Sequence, residues 1–263
     1  MFDIAVIPVG GLGTRMRFPP GHAQSKVLVP VAKRPFLQYV LRNLDLYKFR
    51  SIILLTGHYS DQIGLFLQEY RFDRDSMLVI DGGTSGTAAA LWRAKESLSA
   101  PFFFLDGNVL CNPRLIAQVE AAQAMSGAPI AVALSTLERA PQHPQAQVIE
   151  HSIRRIDIFP DRAPIHPATG ATYYVMGVYG FDPSVFDRFP QMRFFPDMGY
   201  LIRHAACEDR RLVQPVVYEG DWFAIHEPRD LRETAGQDLP SFNNLLRDID
   251  QRARCRSDPN FGV

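Results

Sequence analysis

The chain has 263 residues, a length at which an α/β fold often forms a single domain. Hydrophobic residues make up 46% and charged residues 21%, which excludes disorder as the main state and allows a sizeable core. Its 28 basic and 28 acidic residues cancel, so no net field draws the protein to nucleic acid or an anionic membrane, and a ligand phosphate has to be held locally.

Strand-like and helix-like segments alternate along the first half. Residues 4–9 (IAVIPV) are apolar and end in glycines, the pattern of a buried parallel strand running into a tight loop. Residues 51–56, 76–81, 101–106 and 129–137 read as further strands, the run Phe102, Phe103, Phe104 as a buried one. Segments 35–47, 61–70, 86–97 and 113–125 carry apolar residues at helical spacing between them. The alternation predicts a parallel sheet covered by helices on both faces. After residue 138, Pro141, Pro144, Pro160, Pro164 and Pro167 punctuate two short strands, 146–150 and 154–159, which reads as an inserted hairpin with long loops. Strands at 173–181, 212–219 and 222–225 and helices at 198–207 and 228–235 follow, then an amphipathic helix at 241–254 through Phe242, Leu245, Leu246 and Ile249.

Cys111, Cys207 and Cys255 are far apart and form no metal or disulfide pattern, which suits a reducing, cytoplasmic setting. The N-terminal MFDIAVIPVGG has no basic segment before its apolar run, and that run is too short to span a bilayer, so neither a signal peptide nor a membrane helix is expected.

The chemistry-bearing signal is Gly10, Gly11, Leu12, Gly13, Thr14, Arg15 directly after the first strand, with Lys26 downstream in SKVLVPVAKRPFL. Small residues let backbone N–H groups curl around phosphate oxygens, and Arg15 and Lys26 supply charge to a polyphosphate. The third glycine of a dinucleotide fingerprint and the Gly-Lys-Ser/Thr of an ATPase loop are both missing. Taken alone, the loop is also compatible with an ordinary strand-to-helix turn.

GGLGTRM with SKVLVPVAKRPFL resembles the signature of the sugar-nucleotide pyrophosphorylases, or sugar-1-phosphate nucleotidyltransferases. SGTAAAL (85–91), FFFLDGNVL (102–110), GVYGF (177–181) and GDWFAIHEPRDL (220–231) extend the resemblance in family order over most of the chain. It implies a glycosyltransferase-A-like (Rossmann-like) α/β fold with a mixed, mostly parallel sheet flanked by helices. Residues 1–240 would form that domain, with an insertion at about 138–170, and 241–263 a C-terminal helix and tail. The implied reaction is attack of a sugar 1-phosphate or similar small phosphate on the α-phosphorus of a nucleoside triphosphate, releasing pyrophosphate with magnesium or manganese. Carried over by position, Gly10, Gly11, Gly13 and Thr14 would hold the nucleotide, Arg15 would steady the departing pyrophosphate and Lys26 would bridge phosphates. Gly86 and Thr87 would lie near the nucleotide, and Gly177 would let the sugar ring lie against the backbone. Gly86 also reads as a helix N-terminal residue, and Gly177 as a strand glycine easing a bend.

Three positions depart from the family pattern. Where the family has Leu-Asn-Gly-Asp, this chain has Leu105, Asp106, Gly107, Asn108; where the family has Trp-x-Asp, it has Trp222, Phe223, Ala224. An amide and a methyl group thus replace the two expected metal carboxylates, although Asn108 still falls at the nucleotide. The Glu-Lys-Pro motif that commonly follows the central hairpin is absent, with Phe159 and Pro160 near that position. If the segments are extended, Asp106 shares a face with Asn108 and His226 with Ala224, so a displaced metal site of Asp106 and His226 is one expectation.

Two readings follow. In one the chain is a nucleotidyltransferase with a modified metal site, taking a nucleoside triphosphate and a small phosphorylated partner. In the other it is a catalytically silent homologue that binds a nucleotide or nucleotide sugar as a regulatory or structural subunit. Neither involves nucleic acid or a membrane, and a homo- or hetero-oligomer suits both. A metal-dependent glycosyltransferase is disfavoured by the lack of an Asp-x-Asp motif.

Overall fold

Buried β-branched and aromatic runs build the centre of the molecule. The computed structural model describes residues 2–18, 23–47, 49–70, 77–136, 145–149, 152–157, 171–228, 230–231 and 242–249. Strand β1 (Ile4–Pro8) is followed by the short pair β2 (Pro30–Val31) and β3 (Arg34–Pro35), helix α1 (Phe36–Tyr47), β4 (Ser51–Thr56), α2 (Ser60–Glu69), β5 (Met77–Asp81) and α3 (Thr87–Arg93). Then come β6 (Phe102–Leu105), β7 (Val109–Cys111), α4 (Pro113–Ser126), β8 (Ile130–Ser135), β9 (Gln145–Ile149) and β10 (Ser152–Asp157). The long β11 (Ala171–Phe181), α5 (Ser184–Arg188), α6 (Met198–Glu208), β12 (Val213–Tyr218) and β13 (Trp222–Ala224) complete the series, and residues 242–249 are helical. The expected insertion is described only at β9 and β10, which pair as an antiparallel hairpin; Phe159, Pro160 and the tail beyond residue 249 lie outside the described residues.

The main sheet runs β10-β9-β11-β6-β1-β4-β5, with β8 and β12 joined through β11. Its β1–β4, β1–β6, β4–β5 and β8–β12 pairs are parallel, whereas β11 is antiparallel to both β6 and β8. The sheet is therefore mixed, as the resemblance implies, and not wholly parallel, as the strand–helix alternation alone predicts. Two extra residues of β11 stand against β8 between Val175 and Tyr179, and Gly177 lies in this bulge with φ +77°. A bulge of this kind re-aims the strand beside a site.

Side chains alternate across the sheet. Phe103 and Leu105 join one core with α1, α4 and Phe242, Leu245 and Ile249 of the C-terminal helix; Phe102 and Phe104 join the other with α3, α5 and α6. Full burial of each aromatic ring contributes about 1.5–3 kcal/mol, so the Phe102–Phe104 run is a core strand and not a stacking platform. Apart from the main sheet, β7 and β13 form a small antiparallel sheet of their own, tied to β8 by Trp222, whose Nε1–H donates to Ser135 Oγ at 3.0 Å. No helix among the described residues is long and apolar enough to cross a membrane.

Candidate active site

Strands β1, β4 and β5 end side by side, and their main chains meet without side chains between them. A Cβ on Gly10 would lie 2.5 Å from Gly57 N, and one on Gly57 would lie 2.3 Å from Gly83 O. Hydrogen bonds from His58 N–H to Gly10 O (3.1 Å) and from Gly82 N–H to Thr56 O (2.8 Å) carry the sheet past the strand ends. The result is a backbone floor for a cleft of about 290 Å³, lined by Gly10, Gly11, Leu12, Thr56, His58, Gly83, Thr84, Gly86 and Thr87. Such crevices at the carboxyl ends of strands are where open α/β sheets bind ligands.

The glycine loop forms one wall. Gly13 adopts φ +65° and starts a short 3₁₀ turn, Thr14–Met16, which buries Met16 and leaves Arg15 exposed. Lys26 runs beneath this loop: its Cε lies 3.8 Å from where a Gly11 Cβ would stand and its Cβ 3.3 Å from that of Gly13. Gln62 of α2 secures the approach, accepting from Ser25 N–H at 2.9 Å and donating to Ala23 O at 3.2 Å. Opposite, Gly86 (φ +109°) and Thr87 begin α3, and Thr87 N–H donates to Pro196 O at 3.2 Å. The expected nucleotide residues Gly10, Gly11, Gly86 and Thr87 thus line one cleft; Gly13, Thr14 and Arg15 continue the loop that Gly10 and Gly11 begin, and Asn108 is not among the lining residues.

Electrostatically, Lys26 and Asp106 are a pair. Burial and the neighbouring Arg15 push the Lys26 ammonium down to about 8, a shift that Asp106 opposes. Burial, with Asp197 adding to it, pushes Asp106 up to about 7, against the pull of Lys26. Asp197 caps α6, accepting from Tyr200 N–H at 3.3 Å, and burial raises it as well. The Tyr179 hydroxyl is raised by burial and by the same two carboxylates.

The extended geometry expected around the metal positions is not formed. Val109 N–H donates to Asp106 O at 2.8 Å, so residues 106–109 make a turn in which Asp106 and Asn108 do not share a strand face. Asn108 is 6% exposed and clasps Ile225: its Nδ2 donates to Ile225 O at 2.9 Å and its carbonyl accepts from Ile225 N–H at 2.9 Å. Strand β13 ends at Ala224, so alternation does not extend to His226, whose N–H donates to the Asp230 carboxylate at 2.6 Å. Asp106 instead folds over Gly177, its Oδ2 2.6 Å from the place a Gly177 Cβ would take. That side of Gly177, open to a sugar ring in the resemblance, holds the carboxylate.

The residues at 108 and 224 do not fit a divalent-metal centre. An amide N–H₂ turned onto a carbonyl and a buried methyl offer no anionic oxygen, and a magnesium site needs one or two carboxylates beside the ligand phosphates. Asp106 keeps one sealed oxygen, Oδ1, without a partner among the described residues, but no three of its His, Cys, Asp or Glu neighbours gather with metal-holding geometry there.

A nucleotidyl transferase family model matches residues 4–239, and the chain belongs to that family. It is 27% identical over 239 residues to the low-salt glycan biosynthesis nucleotidyltransferase Agl11 of Haloferax volcanii, covering 87% of this chain and 64% of that one. It is 25% identical over 232 residues to mannose-1-phosphate guanylyltransferase 1 of Arabidopsis thaliana, covering 86% and 62%. The chain thus spans under two thirds of the length of these curated relatives. Among solved structures, the inositol-1-phosphate CTP transferase from T. maritima superposes with a TM-score of 0.73 at 17% identity over 95% of this chain and 97% of that one, which establishes the Rossmann-like glycosyltransferase-A type of fold.

Sequence reasoning missed Asp197, His58, Gly83 and Thr84. The last three lie within three residues of a strand end, a signal related to the one that marked the glycine loop, while Asp197 showed only as a polar residue before a helix.

Proposed function

We propose that this chain binds a nucleotide in the cleft and passes its nucleotidyl group to a sugar 1-phosphate or a similar small phosphate. The observation that carries the reading is Lys26 packed against Gly11 and Gly13 of the glycine loop, of which Gly11 lines the cleft. The loop N–H groups and Thr14 cradle the phosphates; Arg15 and Lys26 neutralise charge on the leaving pyrophosphate. An oxygen of the acceptor phosphate forms the new bond to the α-phosphorus as the bond to the pyrophosphate oxygen breaks. Oriented binding and charge neutralisation are the parts of this chemistry that the chain's own residues supply.

A second reading, favoured by the Asn108–Ile225 clasp and the Ala224 methyl, is a silent homologue that keeps the binding and lacks the turnover, serving as a regulatory or structural subunit in a homo- or hetero-oligomer. Arg15→Ala and Lys26→Ala should each weaken nucleotide binding about tenfold or more in calorimetry, the worth of a charge-assisted contact. Pyrophosphate release, assayed over a panel of nucleoside triphosphates and sugar 1-phosphates, separates the readings: release by the unaltered chain supports transfer, and binding without release supports the silent homologue. Unchanged affinity in both variants would remove the loop from the site.

A further inference from the structure

We infer that the site binds its nucleotide without a divalent cation, with Lys26 as the resident cation, and that its preferred ligand is a nucleoside diphosphate ester of the nucleotide-sugar class over a nucleoside triphosphate. The inference rests on the nucleotide-binding reading above.

The first support is the donor chemistry at the turn. Asn108 could serve a metal only through its amide oxygen, and that amide is held by its Nδ2 on Ile225 O while the backbone of the same residue holds Ile225 N–H. That amide oxygen is neutral and brings no negative charge to a cation, whichever way it faces. Ala224, registered against Val109 of β7, places a methyl group on the neighbouring strand.

The second support is where the positive charge stands. Lys26 is packed against the glycine loop along its aliphatic stem, close to Gly11 and Gly13, so its stem is held by the fold before a ligand arrives. Asp106 lies within its electrostatic reach and is itself fixed by the bulge at Gly177. The Lys26 ammonium beside backbone N–H groups does the charge work that a metal would otherwise bring.

The third support is charge balance. Arg15 and Lys26 bring positive charge, but Asp106 acts on Lys26 and Asp197 in turn on Asp106. A nucleoside triphosphate ends in a free terminal phosphate that, like the phosphate of a phosphorylated side chain, carries about −1.5 to −2 charges at neutral pH, which metal normally offsets. A pyrophosphate diester has no such end group, and its smaller charge matches two cations partly countered by two carboxylates.

The test is calorimetry on the unaltered full chain, titrated with UDP-glucose, GDP-mannose, dTDP-glucose, UTP, GTP and dTTP, in EDTA and again in excess magnesium chloride. At least one sugar diester should bind in EDTA, more tightly than its own triphosphate, with magnesium changing its affinity less than about threefold. Lys26→Gln should lower that affinity about tenfold or more while circular dichroism shows the fold retained. Tightening by magnesium of about tenfold, or a triphosphate bound more tightly than its diester, would overturn the inference and leave nucleotide binding intact. Binding of no nucleotide in either buffer would overturn the nucleotide-binding reading itself, and this inference with it.

Discussion

At the scale of single residues, Asn108 decides more than its position in the motif suggests. A carboxylate there cannot donate, so Asn108→Asp would set an anionic oxygen against Ile225 O in a buried turn. The variant should lose about 1–3 kcal/mol of stability, and a chain of this size should melt at a temperature lower by about 2–4 °C per kcal/mol. Thermal unfolding followed by circular dichroism checks this; an unchanged midpoint would mean the clasp does not hold the turn. Restoring the family carboxylate is therefore not a simple repair. The Lys26 and Asp106 pair gives a second expectation, with Arg15 and Asp197 as the other titratable groups acting on it and Tyr179 facing both carboxylates. Lys26 is lowered to about 8, so its phosphate-binding ammonium is lost well before that of a free lysine. Asp106 is raised to about 7, so below that pH its carboxyl is neutral and does not repel phosphate. Both signs agree: nucleotide affinity should be greatest below pH 7 and fall several-fold as the pH rises through 7 and 8, and calorimetry across that range would expose a flat profile if the pair is not at the site.

At the scale of elements, the cleft is held open by close approaches that only glycine permits. Gly86 is the sharpest case, since an ideal Cβ would stand 1.7 Å from Pro196 O and the residue has φ +109°. Gly86→Ala must part α3 from the segment leading into α6 and also strain the backbone, together costing about 3 kcal/mol or more. Denaturant unfolding measures the loss, and a cost below about 1 kcal/mol would show that this junction yields easily. The same element scale explains what was legible beforehand. Buried strands such as 51–56 and 102–105 announce themselves by unbroken apolar runs, and the helix starts by Pro113 and by the polar residue at 197. The antiparallel β11 and the β7–β13 pair do not, because strand direction and partner choice are tertiary facts with no local pattern. For the site, the loop and Lys26 could be read from residue type and spacing. The turn at 106–109 could not: a period-two argument presumes an extended chain, and the hydrogen bond from Val109 to Asp106 breaks that premise. The approach of Asp106 to Gly177 depends on a bulge, and Asp197 reaches the site from a helix far along the chain.

At the scale of the whole molecule, two cores on opposite faces of one sheet position a cleft whose floor is main chain, while residues 15, 26, 106 and 197 form an electrostatically coupled set reached through the glycine loop. The clasp from Asn108 to Ile225 closes a loop of 117 residues. Its consequence belongs to the order of folding. Strands β1, β4 and β5, with the glycine loop, α1, α2 and α3, lie within the first 93 residues and can pair as soon as they have left the ribosome. The clasp and the β7–β13 pair cannot form until Trp222 to Ile225 have been made, and closing so long a span is entropically the slower event. The floor of the cleft is therefore an early structure and the clasp a late one, so a nascent chain stalled before residue 222 carries the glycine loop without the clasp that sets the turn at 106–109.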